Sequence, residues 1–435
     1  MGCVIVSAGI CIMNKNAIAL AADSAVTVGP HLAIHNSANK LFALSKVAPV
    51  GAIIYSNAEV MGIPVEILMK QYKRDLGQKT FDFLEEYVND FISYMLRNKL
   101  LFHFSENERR YINSIYVDLL NGLNGDYTQL VSRKINEVKR ELNPEELSEV
   151  QQNAVNLTIN FIDQLPLLPN FDVTEYISHN YSNEIKKYIS KTFSWITGNL
   201  LDNLTEKVCT IFNKEFFRNG YIGIAFAGYG DHDIFPKMQH IHLSGIISNN
   251  VRYVIREQVI ITEDNTATIS PLAQTDVMQT FLFGINDGFI NALANEIPKQ
   301  IQNVFQNIDD DHFIEGKKKE VLGKLSSATP NIINQIVAKA QQEYLRPITQ
   351  SVATLPIEEL ALLAESMINI TSLRRKVAID NNIGTVGGPI DVGMITKSDG
   401  FIWIKRKHYF DQSYNLQYFY SHYMREGSVG SEHHE

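Results

Sequence analysis

Apolar and polar positions follow two different patterns along the chain, and each pattern occupies its own stretches. Short apolar runs bounded by turn residues predict β-strands in four stretches: residues 1–60, 221–269, 390–396 and 401–406. Apolar positions at helical spacing predict helices in three others: residues 64–217, 277–345 and 357–376. The predicted order is therefore strands, helices, strands, helices, strands.

Two pairs of these strands are predicted to form β-hairpins. The first pair begins with the apolar run 4–13, followed by an Asn-Lys-Asn turn and a second run at 17–23. The other pair joins residues 390–396 to residues 401–406 through a Ser-Asp-Gly turn. Turn residues of these types between two β-compatible runs favour antiparallel pairing. Two such sheets covered by helices would bury the apolar faces of both kinds of element.

The long helical stretch predicts an insertion between the strand-rich parts of the chain. Within it, Asn143 followed by Pro144 and two acidic residues is typical of a helix start, because these residues cap and complement the positive end of the helix dipole. We expect three parts: one discontinuous domain from residues 1–63 and 218–426, a mainly helical insertion at 64–217, and a flexible tail at 427–435.

Charge and cysteine content narrow the classes of partner and compartment. The net charge is -9 and the isoelectric point is about 5.8, so a nucleic acid or an anionic membrane surface is not an expected partner. Three cysteines do not make a disulfide framework, which predicts a cytoplasmic protein. We find no apolar stretch of about 18 residues and therefore expect no membrane span.

Three short segments carry a recognisable pattern of residues. They read Ala-Ile-Ala-Leu-Ala-Ala-Asp-Ser-Ala-Val-Thr at 17–27, Asn-Lys-Leu-Phe-Ala-Leu at 39–44 and Thr-Val-Gly-Gly-Pro-Ile-Asp-Val-Gly-Met-Ile-Thr at 385–396. Their sequences and order resemble those of proteasome β-subunits and related bacterial N-terminal-nucleophile (Ntn) hydrolases. The resemblance covers about half of the chain and leaves most of the helical stretch outside it.

The resemblance implies a fold, an activity and an assembly. The implied fold is α+β, a four-layer αββα sandwich of two antiparallel sheets between helical layers, here enlarged by the helical insertion. The implied activity is hydrolysis of an amide bond in a peptide or protein, by a residue that self-processing leaves at the N-terminus. Its free α-amine acts as the general base, because such an amine titrates near neutral pH. No cofactor is implied, and a homo-oligomeric ring is.

Four residues of this sequence match the catalytic positions of that family. Asp23 matches the family carboxylate, and Lys40 matches the lysine that lowers the pKa of the nucleophile. Counting sixteen positions back from Asp23 gives Ser7 as the nucleophile. Thr385 takes the place of a supporting serine if the alignment shifts by one residue. Backbone N–H groups near Ser56 or Asn57 are the expected oxyanion donors.

Departures from the pattern leave alternatives open. The residue before Ser7 is Val6, whereas the family has glycine there, and Cys3 follows the only glycine in this segment. Cys3 is therefore a second candidate for the nucleophile. A chain that keeps its first six residues would be a catalytically inactive proteasome-fold subunit acting in assembly or protein binding. A small-molecule amidase that uses the same nucleophile is a third hypothesis.

Two further groups of polar residues are interpreted without assigning them a ligand. His240 and His242 alternate on one predicted strand and could approach His232, but no carboxylate-rich or Cys-x-x-Cys spacing accompanies them, so no metal is expected. The basic run at 405–408 is interpreted as the solvated end of a strand.

Overall fold

A computed structural model describes most of the chain. The described residues are 4–5, 8–28, 33–98, 105–217, 220–273, 275–306, 317–377, 387–408, 410–411 and 413–419. Within them the protein is α+β, with antiparallel sheets and helices, as predicted. The order of strand-rich and helix-rich stretches also follows the prediction. No helix in this part of the chain combines the length and the apolar character needed to cross a membrane.

Fifteen strands are present in the described residues. In chain order they are β1 (Val4–Ile5), β2 (Ala8–Asn14), β3 (Ile18–Ala22), β4 (Val26–Val28), β5 (Ala33–His35), β6 (Leu41–Ala43), β7 (Val50–Asn57), β8 (Glu59–Val60), β9 (Ile63–Pro64), β10 (Ile222–Gly228), β11 (Lys237–Ile247), β12 (Asn250–Ile260), β13 (Ala267–Ala273), β14 (Asp391–Thr396) and β15 (Gly400–Lys405).

Twelve α-helices accompany them in the same part of the chain. They are α1 (Val65–Leu76), α2 (Leu84–Arg97), α3 (Ser105–Val138), α4 (Pro144–Gln164), α5 (Thr174–Thr192), α6 (Gly198–Thr210), α7 (Asp276–Phe283), α8 (Asp287–Gln306), α9 (Lys317–Ala340), α10 (Arg346–Val352), α11 (Ile357–Val377) and α12 (Leu416–Phe419). A 3₁₀ turn (Ile211–Asn213) follows α6, and a π turn (Gln341–Leu345) joins α9 to α10.

The strands form two main sheets in which every pairing is antiparallel. The first sheet has the order β1-β7-β10-β11-β12, with β6 also pairing with β7. The second sheet has the order β13-β2-β3-β14-β15. Both predicted hairpins are confirmed, since β2 pairs with β3 and β14 pairs with β15.

The first apolar run differs from its prediction as one strand. It divides into β1, which pairs with β7 in the first sheet, and β2, which lies between β3 and β13 in the second. The chain therefore passes from one sheet to the other within residues 5–8. A continuous apolar run does not reveal such a crossing, because the strands on either side of it are both apolar.

An apolar cluster lies between the two sheets. It combines Cys11 and Leu20 of the second sheet with Ile53, Tyr55 and Ala225 of the first. The sheets approach closely at Gly51 on β7, where an added Cβ would lie 2.7 Å from the ring of Phe401 on β15. Glycine at this position lets the aromatic ring pack directly on the backbone of the first sheet.

The other face of each sheet is covered by helices. Side chains of α1 and α2, including Tyr72 and Phe91, pack on the first sheet in one apolar cluster with Ile54 and Phe226. Helices α7, α10 and α11 cover the second sheet in another cluster: its members include Met278, Leu282, Val352, Leu360, Ala364 and Met367 together with Ala19 and Ile10.

Helices α3 to α6 form an apolar cluster of their own. It contains Leu119 of α3, Val155 of α4, Ile185 of α5 and Val208 of α6, and it reaches the first sheet at Val254. Helix α4 begins as predicted. The Asn143 side chain accepts a hydrogen bond from the Glu146 N–H at 2.8 Å, and the Glu146 carboxylate accepts one from the Asn143 N–H at 2.9 Å.

Candidate functional site

Asp23 and Lys40 form an ion pair in the interior of the protein. Lys40 Nζ donates to Asp23 Oδ1 at 2.7 Å, and the two side chains are 1% and 0% exposed. Asp23 directly follows β3, and Lys40 directly precedes β6, so each sheet contributes one member of the pair. Asp23 and Lys40, which the sequence analysis matched to the carboxylate and the lysine of one catalytic site, therefore lie in contact.

The Asp23 carboxylate also organises three backbone segments. Oδ1 accepts the N–H of Ala8 at 2.9 Å, and Oδ2 accepts the N–H groups of Ala25 at 3.2 Å and Gly387 at 3.0 Å. These contacts join the beginning of β2 to the glycine pair before β14. Asp23 thus has four donors, and these hydrogen bonds offset the loss of water around a buried carboxylate.

A second buried ion pair joins Asp391 and Lys407, and its lysine interacts electrostatically with Lys40. Asp391 accepts hydrogen bonds from the Lys407 N–H at 2.8 Å and from Lys407 Nζ. Burial lowers the pKa of Lys40 below its usual value; Asp23 opposes this shift, and the positive charge of Lys407 adds to it. Lys407 is only 11% exposed, so this member of the basic run 405–408 is not the solvated residue that the sequence suggested.

The other two predicted catalytic residues are not among those that the structure describes. Ser7 and Thr385 both lie outside the described residues, as does Cys3. Ala8, which follows Ser7, is fully buried at the start of β2. Ser56 lies near the end of β7 and adopts a positive φ of 77°, a strained conformation for a residue other than glycine.

A hydrogen-bonded chain of aromatic side chains lies in and beside the first sheet. Tyr55 Oη contacts Nε2 of His240 and, at 3.1 Å, Nε2 of His242. Arg256 Nε donates to His242 Nδ1 at 3.0 Å, and the Tyr221 ring stacks on His242 with centroids 4.1 Å apart. Burial lowers the pKa of His240 to about 4 and that of His242 to about 3, so both are neutral at pH 7.

The direction of donation along this chain follows from Arg256. Because its Nε donates to Nδ1 of a neutral imidazole, the proton of His242 must sit on Nε2. His242 then donates to Tyr55 Oη, and the Tyr55 hydroxyl donates to His240 Nε2. His240 accordingly carries its proton on Nδ1. Both ring nitrogens that contact Tyr55 thereby have a hydrogen-bond partner while the two imidazoles remain neutral.

His232 does not join His240 and His242 within the described residues. His232 lies 3.4 Å from Asp82 at the surface, apart from the Tyr55 chain. Across the described ranges, no three His, Cys, Asp or Glu side chains stand in a position to hold a metal ion.

Some members of these clusters were not found from the sequence. Lys407 lies beside Asp391 at the open end of the β14–β15 hairpin, where Val392 pairs with Lys405. The predicted hairpin therefore implied this proximity, but the interpretation of the basic run 405–408 as solvated missed the ion pair. The Asp next to Gly-Gly-Pro-Ile is a signal that a search for buried carboxylates could have used. Tyr55 ends an apolar run and carries no signal of its own.

Comparisons with known proteins give little support for a family. No protein-family model matches this chain, and no curated protein sequence matches it. Solved structures similar to it include a Gly-1 mutant of Anbu from Hyphomicrobium sp. strain MC1, with 11% identity, 99% of each chain covered and a TM-score of 0.27. Anbu (ancestral beta-subunit) from Yersinia bercovieri shows 8% identity, 98% and 100% coverage and a TM-score of 0.26.

A third solved structure, a helical assembly of the Anbu complex from Pseudomonas aeruginosa, shows 8% identity over 95% of this chain and 93% of that one, with a TM-score of 0.25. These three structures are too dissimilar to this chain to indicate its fold or activity. Because no family model and no curated sequence matches either, the prediction that the chain is a member of the proteasome β-subunit family is wrong as a family assignment. Its basis was a few short segments, and small residues and glycines recur wherever two antiparallel sheets pack closely.

Proposed function

We propose that this protein hydrolyses amide bonds in peptides, with Ser7 as a nucleophile that becomes N-terminal when residues 1–6 are removed. One observation carries the proposal: Asp23 Oδ1 accepts both Lys40 Nζ and the N–H of Ala8, the residue bonded to Ser7. A buried lysine held by a carboxylate at this point of the chain is an arrangement that supports a nucleophile.

Covalent geometry ties Ser7 to the ion pair. The Cα of Ser7 must lie about 2.4 Å from the Ala8 nitrogen, since only a carbonyl carbon separates them. That nitrogen is 2.9 Å from Asp23 Oδ1, which is 2.7 Å from Lys40 Nζ. In this proposal the buried positive charge of Lys40 favours the deprotonated form of the nucleophile.

The chemistry needs no cofactor. The freed α-amine of Ser7 takes the hydroxyl proton as Oγ attacks the carbonyl carbon of the substrate, and it returns the proton to the leaving amine when the C–N bond breaks. Water then hydrolyses the resulting ester. The strained backbone at Ser56 supports its N–H as an oxyanion donor, because such strain concentrates at functional sites.

The arrangement of layers is part of the same proposal. The apolar cluster between the sheets and the helical clusters outside them support a four-layer αββα sandwich. The separate cluster of α3 to α6 supports a helical insertion within 64–217 and a discontinuous domain around it. Exposed Ile402 and Ile404 on the edge strand β15 support association of several copies, with a ring as the proposed form.

One observation favours a different function. Val4 and Ile5 pair with Asn57 and Ser56 in the first sheet, so these two of the residues before Ser7 have a place in the folded protein. A chain that keeps them would have no free amine at Ser7. It would serve as an inactive subunit in assembly or protein binding.

Intact mass and N-terminal sequencing of the purified protein separate the two functions. We expect the wild-type chain to begin at Ser7 and Ser7→Ala to retain residues 1–6, because alanine has no hydroxyl to attack the preceding carbonyl. Ser7→Thr is the matched control and should still be processed. Cys3→Ala should leave processing unchanged. A wild-type chain that keeps residues 1–6 over several days would exclude the hydrolase and leave the assembly function.

A further inference from the structure

A cavity of about 440 Å³ lies between the first sheet and the inserted helix α3, and neither Asp23 nor Lys40 lines it. Tyr111, Ser114, Ile115 and Asp118 line it from one face of α3, at positions i, i+3, i+4 and i+7. The volume lies in the range of about 300–1,000 Å³ that is usual for small-ligand sites.

The inner end of the cavity contains a buried positive charge. Arg252 is 1% exposed, and four of its five N–H groups are used: Nε donates to Phe212 O at 2.9 Å, Nη1 to Ser244 Oγ at 3.0 Å, and Nη2 to Lys214 O at 2.6 Å and Phe216 O at 3.0 Å. All four acceptors are neutral, and no carboxylate among the described residues pairs with this guanidinium. A buried charge without a counter-ion is costly, which makes this end of the cavity attractive to an anion.

Hydroxyl groups extend this polar end. The hydroxyls of Tyr111 and Ser244 contact each other, and Ser244 is also the acceptor for Arg252. The Phe217 ring packs against the Arg252 guanidinium, 4.6 Å from ring centroid to Cζ. The guanidinium is thereby held in one orientation, and one N–H on Nη1 has no acceptor among the described residues.

The outer end carries the opposite charge. Asp118 and Glu59 both line the cavity, and neither has an ion-pair or hydrogen-bond partner among the described residues. Arg110, which precedes Tyr111 on α3, also lines the cavity, and it forms an exposed ion pair with Glu106 at 2.7 Å. The two free carboxylates therefore give the mouth a negative field that favours a cation.

The separation of the two ends sets the length of a ligand. Tyr111 and Asp118 are seven residues apart on α3, which places their Cα atoms about 10 Å apart. Three extended residues of a peptide also span about 10 Å. Apolar groups of Met61, Ile115 and Phe216 also line the cavity.

We propose that this cavity binds a short zwitterionic peptide of two or three residues, with its carboxylate at Arg252 and its ammonium group at Asp118. The charge at each end complements one terminus of the peptide, and the apolar wall contacts its side chains. This site does not depend on the hydrolase activity. A peptide bound here occupies a position built by the inserted helix.

Calorimetric titration with tri-alanine tests the proposal in the full-length Ser7→Ala protein, in which the proposed nucleophile cannot consume the probe. We expect one site per chain. Amidation of the C-terminus of the probe should weaken binding by about tenfold or more, because it removes the charge that Arg252 neutralises. Acetylation of the N-terminus should weaken binding by about fivefold, since the mouth is more exposed to water. These probes change the ligand and leave the fold intact.

Asp118→Asn should weaken binding of free tri-alanine and leave the N-acetylated probe unaffected. Asp126→Asn is the matched control, because Asp126 is an exposed carboxylate on the same helix outside the cavity. Equal affinity for the free and amidated probes, an effect of Asp126→Asn equal to that of Asp118→Asn, or no heat of binding at millimolar tri-alanine would each overturn the proposal. The same titration in the wild-type protein, in which residues 1–6 are either retained or removed, shows whether tri-alanine binding depends on that processing.

Discussion

Asp23→Ala is expected to lower the free energy of unfolding by about 3–5 kcal/mol, the usual cost of removing one partner from a buried ion pair. The substitution leaves the Lys40 ammonium buried without its counter-ion. It also removes the acceptor for the backbone N–H groups of Ala8, Ala25 and Gly387. Ala8 and Gly387, which are far apart in the sequence, both bind this carboxylate, so we expect local loosening of the segment around Gly387. Urea denaturation followed by circular dichroism measures the change.

Two control variants distinguish this explanation from a general effect of losing an acid. Lys40→Met should cost less than Asp23→Ala, because Asp23 keeps three backbone donors. Asp202→Ala removes the acid of an exposed pair with Lys186 and should cost at most about 1 kcal/mol. If Asp23→Ala is no more destabilising than Asp202→Ala, the buried pair does not organise the site.

Acidification from about pH 7 to pH 5 is expected to lower the stability of the protein by about 4 kcal/mol through His240 and His242 together. Both have a pKa well below the ordinary value of 6.5 in the folded state, about 4 and about 3, because burial disfavours the imidazolium. Between the unfolded and folded pKa values the unfolded chain binds protons that the folded chain excludes. The stability is therefore fully present above pH 6.5 and is lost as the pH falls.

Chemical denaturation at several pH values measures this dependence. The double variant His240→Gln/His242→Gln removes both titrating groups. It should reduce the slope of the unfolding free energy against pH, between pH 6.5 and pH 4, by at most about 2.7 kcal/mol per pH unit, which corresponds to two protons. His179→Gln provides the control, since that histidine is exposed on α5. An unchanged slope in the double variant would mean that other groups govern the acid sensitivity.

The sequence alone determined the features that depend on neighbouring residues. The hairpins β2–β3 and β14–β15, the start of α4 at Asn143 and the order of strands and helices follow from periodicity, turn residues and capping. These signals act over a few residues, so the folded protein preserves them. The position of Lys40 next to Asp23 also agrees with the sequence comparison, although the comparison was wrong about the family.

Contacts between distant parts of the chain were decided only by the tertiary structure. The crossing of the chain between β1 and β2 and the contacts of Tyr55 with His240 and His242 each depend on residues that are far apart in the sequence. Arg252 is a buried charge at the end of a cavity because α3 packs against the first sheet. Hydrogen bonding and burial at these sites arise from the packing of whole elements, and the free energy of that packing is not encoded in any short segment.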